Sequence, residues 1–302
     1  MSAIEPATPL RLRALFGDYP QTLALKTGAL RSTSLAFDFA DVKVAHTAFK
    51  RVVRDLEFDV AELALVTFLM AKACGKPLVL LPAVLSARFQ HPYLVYNAER
   101  GQLAPADLAG RRVGIRSYSV TTAAWIRGIL AHDYGVELER VRWVSFEDAH
   151  VAGYRDPPTV ERAAAGKEML AMLLAGELDA AVLANPLPAD QRLKPVIADP
   201  ATQAREWYQR NRAIQINHMV VVRGTLSQCH PQAVREVFRL LLQSKQAAGL
   251  PAAGGIDMNP FGVAANRCNL ELAIDYFHRQ QLIPRRFEVD ELFDDVTRAL
   301  EP

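Results

Sequence analysis

A chain of 302 residues, half of them hydrophobic and 23% charged, has enough interior for one large or two medium globular domains. Its net charge of +2 comes without a basic run or a basic-aromatic array, which argues against a nucleic-acid partner. The longest apolar run, Leu78 to Leu85, is interrupted by Pro82 and is far too short to span a bilayer.

The three cysteines, Cys74, Cys229 and Cys268, are widely spaced, and no CxxC or Cys/His spacing suggests zinc. Reduced thiols in a cytoplasmic compartment are therefore expected. The residues after Met1 lack the basic and apolar regions of a secretory signal, which points the same way.

Along the chain, strand-like and helix-like segments alternate. Leu10 to Phe16 reads as a strand, followed by a turn at Gly17-Asp18-Tyr19-Pro20 and a helix from Gln21 to Thr27. A strand at Ser34 to Phe39, a helix at Ala45 to Asp55, a strand at Phe58 to Glu62 and a helix at Val66 to Ala73 come next. Leu78 to Leu81 is a buried strand, and Pro92 to Asn97 a strand leaving the first lobe. Arg112 to Ile115 is then a strand, and the helix it leads to ends at Gly135. Val141 to Phe146 and Leu178 to Ala184 are strands flanking a helix at Glu168 to Ala175. The strand Met219 to Arg223 precedes helices at Pro231 to Ala247, Leu270 to Gln280 and Val289 to Ala299. This alternation predicts mostly parallel α/β lobes: lobe 1 from residues 1–97 and 224–302, lobe 2 from 98–223. The apolar C-terminal helices are equally consistent with a homo-oligomer interface and with packing on lobe 1.

The most informative stretch runs from Val113 to Gly128, where a short strand enters a hydroxyl-rich turn that opens an amphipathic helix. Ser117, Ser119, Thr121 and Thr122 fall where the first unpaired backbone N–H groups of that helix lie. Such a helix start attracts anions, because free N–H groups and the positive dipole end point together. The competing expectation is an ordinary Ser/Thr cap.

Several motifs recur in a definite order: Phe58-Asp59-Val60-Ala61-Glu62, Val113-Gly114 through Tyr118, and Thr121 through Gly128. Leu174-Ala175-Gly176-Glu177-Leu178-Asp179-Ala180, His218 before Val220-Val221-Val222-Arg223, and Asn259-Pro260-Phe261-Gly262 with Ala265-Asn266-Arg267 follow. Pro284-Arg285-Arg286 and Glu291-Leu292-Phe293 complete the set. In this order the chain resembles the 4,5-dihydroxyphthalate decarboxylases, relatives of the type II periplasmic binding proteins. Pro20, the Asn185-Pro186 region and the 145–167 loop depart from that pattern. The resemblance implies a two-lobed α/β, type II periplasmic-binding-protein-like fold with a ligand cleft between lobes. It also implies cofactor-independent decarboxylation of a small anionic aromatic substrate, as in 4,5-dihydroxyphthalate to protocatechuate. The alternative is a non-catalytic binding protein for a small aromatic or other carboxylate.

That chemistry needs carboxylate anchors and a proton for the ring carbon. Arg88 is the expected anchor, since its fork matches a carboxylate, together with the turn containing Ser117, Tyr118, Thr121 and Thr122. His91, His218 and Glu62 are the candidates for proton delivery. Tyr19, at the end of the first strand, and Asn185, after the strand at 178–184, are expected to contact the substrate. Arg127 is expected at the surface or in an interlobe pair. A metal held by His91, His218 and Glu62 has no supporting ligand spacing.

Overall fold

The computed structural model describes residues 8–302; residues 1–7, which include most of the segment inspected for a signal, lie outside the described residues. The chain divides into two compact units. Among the described residues, one comprises 8–87, 216–271 and 287–302, the other 88–215 and 272–286.

The first unit contains β1 (Leu10–Leu15), α1 (Pro20–Lys26), β2 (Leu35–Phe39), β3 (Val60–Ala64), α2 (Leu65–Ala73) and β4 (Leu78–Ala87). The second opens with β5 (Leu94–Asn97), β6 (Arg112–Ile115) and α3 (Thr121–Tyr134). It continues with β7 (Arg142–Ser145), β8 (Glu161–Arg162), α4 (Met169–Ala175), β9 (Ala180–Val182), β10 (Leu193–Pro195) and α5 (Pro200–Asn211). The chain returns to the first unit in β11 (Ile216–Arg223), followed by α6 (Gly224–Cys229), α7 (Pro231–Ala247), α8 (Val263–Arg279) and α9 (Asp295–Arg298).

Five strands form the first sheet in the order β2-β1-β3-β11-β4. β1 is parallel to β2 and β3, while β11 is antiparallel to β3 and β4. The second sheet has the order β10-β5-β9-β6-β7-β8, with β5 antiparallel to both its neighbours, β10 and β9, and the remaining pairs parallel. The expectation of mostly parallel sheets thus holds only in part. β5 and β11 each enter their sheet from the other unit without a helical crossover, so nothing enforces a parallel βαβ pairing.

Apolar side chains of α7 (Val234, Val237, Leu241) pack with Leu12, Ala14, Val220 and Val222 as the core of the first unit. In the second, Leu173 and Leu178 pack with Val95, Val144 and Ala181. No helix among the described residues is long and apolar enough to cross a membrane.

Two local expectations change, and one helix was not anticipated. The segment 45–55 is a 3-10 turn (Ala45–Ala48) and a π turn (Arg51–Asp55), closed by Leu56 at φ 50°, rather than one regular helix. The expected helix at 289–299 is split into a 3-10 turn, Val289–Leu292, and α9, which Asp294 caps through the Thr297 N–H. α5 went unseen because it buries only Ala204 and Trp207, too few apolar positions to show a period.

Residues 272–286 also group with the second unit, whereas the sequence alone kept everything after 223 in the first. Tyr276 and Phe277 pack edge-on around Trp125, each with ring centroids 5.6 Å away. The backbone of α3 approaches Tyr276 so closely that a Cβ on Gly128 would lie 2.0 Å from the ring. Tyr276 is buried and stacked on His132, so the ring has little room to step aside. Gly128→Ala is therefore expected to destabilise the protein by about 1–3 kcal/mol, read as a lower urea midpoint at unchanged slope. An unchanged midpoint would mean that the ring is not confined.

Candidate active site

In the first unit the site is set by a polar residue in a strand with no exposed position. All five residues of β3 are buried, and Glu62 is fully inaccessible. Glu62 stands opposite Val220 and Ala64 opposite His218, so Glu62 and His218 are diagonal neighbours on one face of the sheet. His218 Nδ1 lies 2.5 Å from Glu62 Oε1. β1 runs parallel to β3, and its carboxyl end delivers Gly17 and Tyr19 to the same carboxylate. The Tyr19 hydroxyl donates to Oε1 at 2.7 Å, and the Gly17 N–H donates to Oε2 at 2.8 Å.

Gly17 has a second role. A Cβ there would lie 2.7 Å from the Tyr19 ring, so the missing side chain lets the phenol fold over the backbone toward Glu62. Thr22 fixes the turn by donating its hydroxyl to Gly17 O at 2.7 Å. The signal available in the sequence was a glycine two residues after the end of β1 and two residues before a tyrosine.

Burial opposes ionisation of Glu62 most strongly, but the bonds from His218, Tyr19 and Gly17 outweigh it. The carboxyl is held below its ordinary range, as a carboxylate. It is thus an acceptor of three bonds and not a proton source. With Tyr19 and His218 both facing Oε1, the hydrogen-bond pattern assigns the proton of His218 to Nδ1 and leaves Nε2 for other partners. The ring is held edge-on by Phe49, centroids 5.1 Å apart, and its side chain retains 19% exposure. An oriented imidazole with one available nitrogen can exchange a proton.

In the second unit β6 runs through Arg116 into residues 117–120, and α3 starts at Thr121. Val120, not a serine or threonine, occupies the N-cap, and no side chain caps the helix. The expected Ser/Thr cap is therefore absent from α3. Ser117, Tyr118, Ser119 and Thr121 are buried, and Thr121 Oγ1 has no hydrogen-bond partner. Arg88 reaches Thr122 Oγ1 at 3.3 Å and lies 5.0 Å from the centre of the Tyr93 ring. The Tyr93 hydroxyl in turn donates to Asn185 Oδ1 at 3.1 Å. Arg88 thus touches Thr122 directly and is linked to Asn185 through Tyr93, a residue the sequence did not single out.

Two expectations are corrected by burial. Arg127 is neither on the surface nor in an ion pair: it is fully buried inside the second unit, along with Trp125. Its Nε donates to Gln280 Oε1 at 2.8 Å and its Nη2 to Tyr118 O at 2.7 Å. A position near the start of a helix looked solvated because charged residues are rarely buried; Gln280, far away in sequence, covers it. His91 is 2% exposed, beside Trp207 at 6.3 Å between centroids, and its Nδ1 is unpartnered. Burial, aided by Arg210, lowers its pKa to about 4. It is a neutral, enclosed imidazole, ill-suited to deliver a proton. Among the described residues no group of three His, Cys, Asp or Glu side chains is placed to hold a metal ion.

The chain is 30% identical over 219 residues to 4,5-dihydroxyphthalate decarboxylase of Comamonas testosteroni, a match spanning 66% of this chain and 64% of that one. It is 29% identical over 173 residues to the protein of the same name from Pseudomonas putida, spanning 53% of this chain and 67% of the relative. No family model matches. Among solved structures, the alkanesulfonate-binding protein SsuA of Xanthomonas axonopodis pv. citri, bound to MOPS, superposes with a TM-score of 0.62 at 16% identity. That match covers 95% of this chain and 99% of SsuA, and it is a likeness of fold. The resemblance drawn from the ordered motifs, and the periplasmic-binding-protein-like α/β fold it implied, are both borne out.

The His91 environment makes stability depend on pH. Because its pKa falls from 6.5 to about 4 on folding, the unfolded chain binds the extra proton between those values. Its contribution is present in full above pH 6.5 and is lost as pH falls toward 4, by at most about 3 kcal/mol. His91→Gln is expected to flatten the loss of urea stability between pH 7 and 5. An unchanged pH slope would show that His91 titrates normally in the folded protein.

Proposed function

We propose that this chain, which resembles the 4,5-dihydroxyphthalate decarboxylases, removes carbon dioxide from a hydroxylated aromatic dicarboxylate of that kind without an organic cofactor. The observation that carries this reading is the Tyr19–Glu62–His218 group. A protein that only binds a carboxylate has no need of a buried carboxylate that orients an imidazole and leaves its Nε2 for proton exchange.

In the proposed reaction His218, protonated on both nitrogens, gives the Nε2 proton to the ring carbon that bears the departing carboxylate. The hydroxyl para to that carbon supplies the electrons, and the ring loses its aromaticity. The carbon–carboxylate bond then breaks, its electron pair returns to the ring, and carbon dioxide leaves. One proton is consumed overall, and His218 recovers it from solvent. Glu62 keeps the imidazole in the required tautomer and faces its positive charge. Tyr19, held on Glu62, contacts a ring hydroxyl in this scheme. In the second unit, a guanidinium fork at Arg88 and the uncapped start of α3 are suited to bind carboxylate charge. His91 has no part in this scheme.

The test is carbon dioxide release from 4,5-dihydroxyphthalate by the purified protein. His218→Asn is expected to lower kcat by about 10²- to 10⁴-fold, the usual contribution of a positioned proton donor, with substrate affinity little changed. Arg88→Ala is expected to raise KM by about tenfold or more, with a smaller effect on kcat. Tight binding with no gas release by the wild-type protein would identify a binding protein instead. Full activity in His218→Asn would remove the imidazole from the chemistry.

A further inference from the structure

Among the described residues, Arg127 is the one fully buried charge that the proposed reaction leaves unused. It lies in the second turn of α3, and its guanidinium reaches back to the turn that precedes the helix, where Nη2 donates to Tyr118 O at 2.7 Å. The Tyr118 ring covers it at 3.8 Å, and Trp143 lies at 5.6 Å. Gln280 accepts from Nε and donates to Ala124 O at 2.8 Å, locking the group against the helix. Nη1 has no hydrogen-bond partner. Among the described residues no carboxylate is bonded to Arg127; Asp156 and the phenols of Tyr118 and Tyr154 act on it only at a distance.

A buried cation without a bonded counter-ion costs several kcal/mol of lost hydration. Neutral carbonyls and aromatic faces offset only part of that. The same few residues that the guanidinium supports also hold the uncapped helix end, the unpartnered Thr121 hydroxyl and the Arg88 contact with Thr122. Two guanidinium groups therefore approach the start of α3, Arg88 at Thr122 in its first turn and Arg127 at Tyr118 just before it.

We propose that Arg127 is the buried counter-charge of the anion held at the start of α3, and that it makes this site select a doubly charged carboxylate over a singly charged one of the same shape. The inference rests on the start of α3 being an anion site. Arg127 acts here as a positioning and specificity residue: it shapes the turn through Tyr118 and adds a second positive charge that water does not screen. Arg88 alone would neutralise one carboxylate. Two adjacent carboxylates on one small ring require both.

Calorimetric titration of the full-length protein with phthalate and with phthalamate, its singly charged near-isostere, tests this. The wild-type protein is expected to prefer phthalate by at least about tenfold, as a charge pair in a water-poor site should. Arg127→Met is expected to weaken phthalate by a similar factor while changing phthalamate less than about threefold. Arg127→Lys, which keeps the charge, is expected to retain most of the preference, and it stands in should the methionine variant fail to fold. Equal weakening of both ligands in Arg127→Met, or a wild-type protein that does not discriminate between them, would overturn the assignment. Failure of the underlying anion site has its own signature: Thr121→Val would leave both affinities unchanged, and the role of Arg127 would fall with it.

Discussion

Everything proposed for the first unit depends on keeping one carboxylate charged with no water around it. Glu62 occupies a strand whose neighbours on both sides are hydrogen-bonded partners, and an unpaired charge there would be intolerable. Three donors solve the problem: a backbone N–H, a phenol and an imidazole. Each has a structural reason for being within reach. Parallel pairing of β1 and β3 brings Gly17 and Tyr19 past the carboxylate, and antiparallel pairing of β11 brings His218 diagonally beside it. The absence of a side chain at Gly17 is part of the same solution, because the Tyr19 ring occupies that space.

The second unit presents the opposite electrostatic arrangement. Its fully buried charge is positive, and its compensation by the protein is incomplete. Neutral carbonyls and aromatic faces hold Arg127 in position, while the helix it supports begins with a cap residue that contributes no hydrogen bond. Gly17 and Tyr19 lie beyond the carboxyl end of β1, and the turn that leads into α3 lies beyond the carboxyl end of β6, each strand parallel to a neighbour in its own sheet. That is where α/β sheets leave free backbone groups and helix starts available to ligands. One buried charge is satisfied by three donors within the protein; the other keeps a nitrogen without a hydrogen-bond partner.

Most of the regular elements were legible because their periodicity is local. β1, β6, α3 and α7 stand within a few residues of the spans expected for them, since each carries its own apolar pattern and stop signal, such as Gly135 after α3. The 45–55 segment and α5 were not, the first because its turns are irregular and the second because it presents little apolar surface. Of the site residues, Arg88, Thr122 and Asn185 could be suspected from their places at strand and helix ends, and they share one network. His91 looked as good as His218 in sequence. Only packing separates them: one ring is enclosed beside Trp207, the other is aimed by a carboxylate 156 residues away.

The sequence alone settled most of the alternation of strands and helices, and its ordered motifs carried the resemblance that pointed to a fold and a chemistry to consider, because a helix start, a strand end and a glycine turn are encoded by neighbouring residues. What only the tertiary structure decided was the ionisation and company of each polar group. Whether Glu62 is an acid or an acceptor, and whether Arg127 is solvated or enclosed, depends on residues distant in sequence. Charge in a protein is governed by what lies within a few ångströms in space, and no local pattern carries that information.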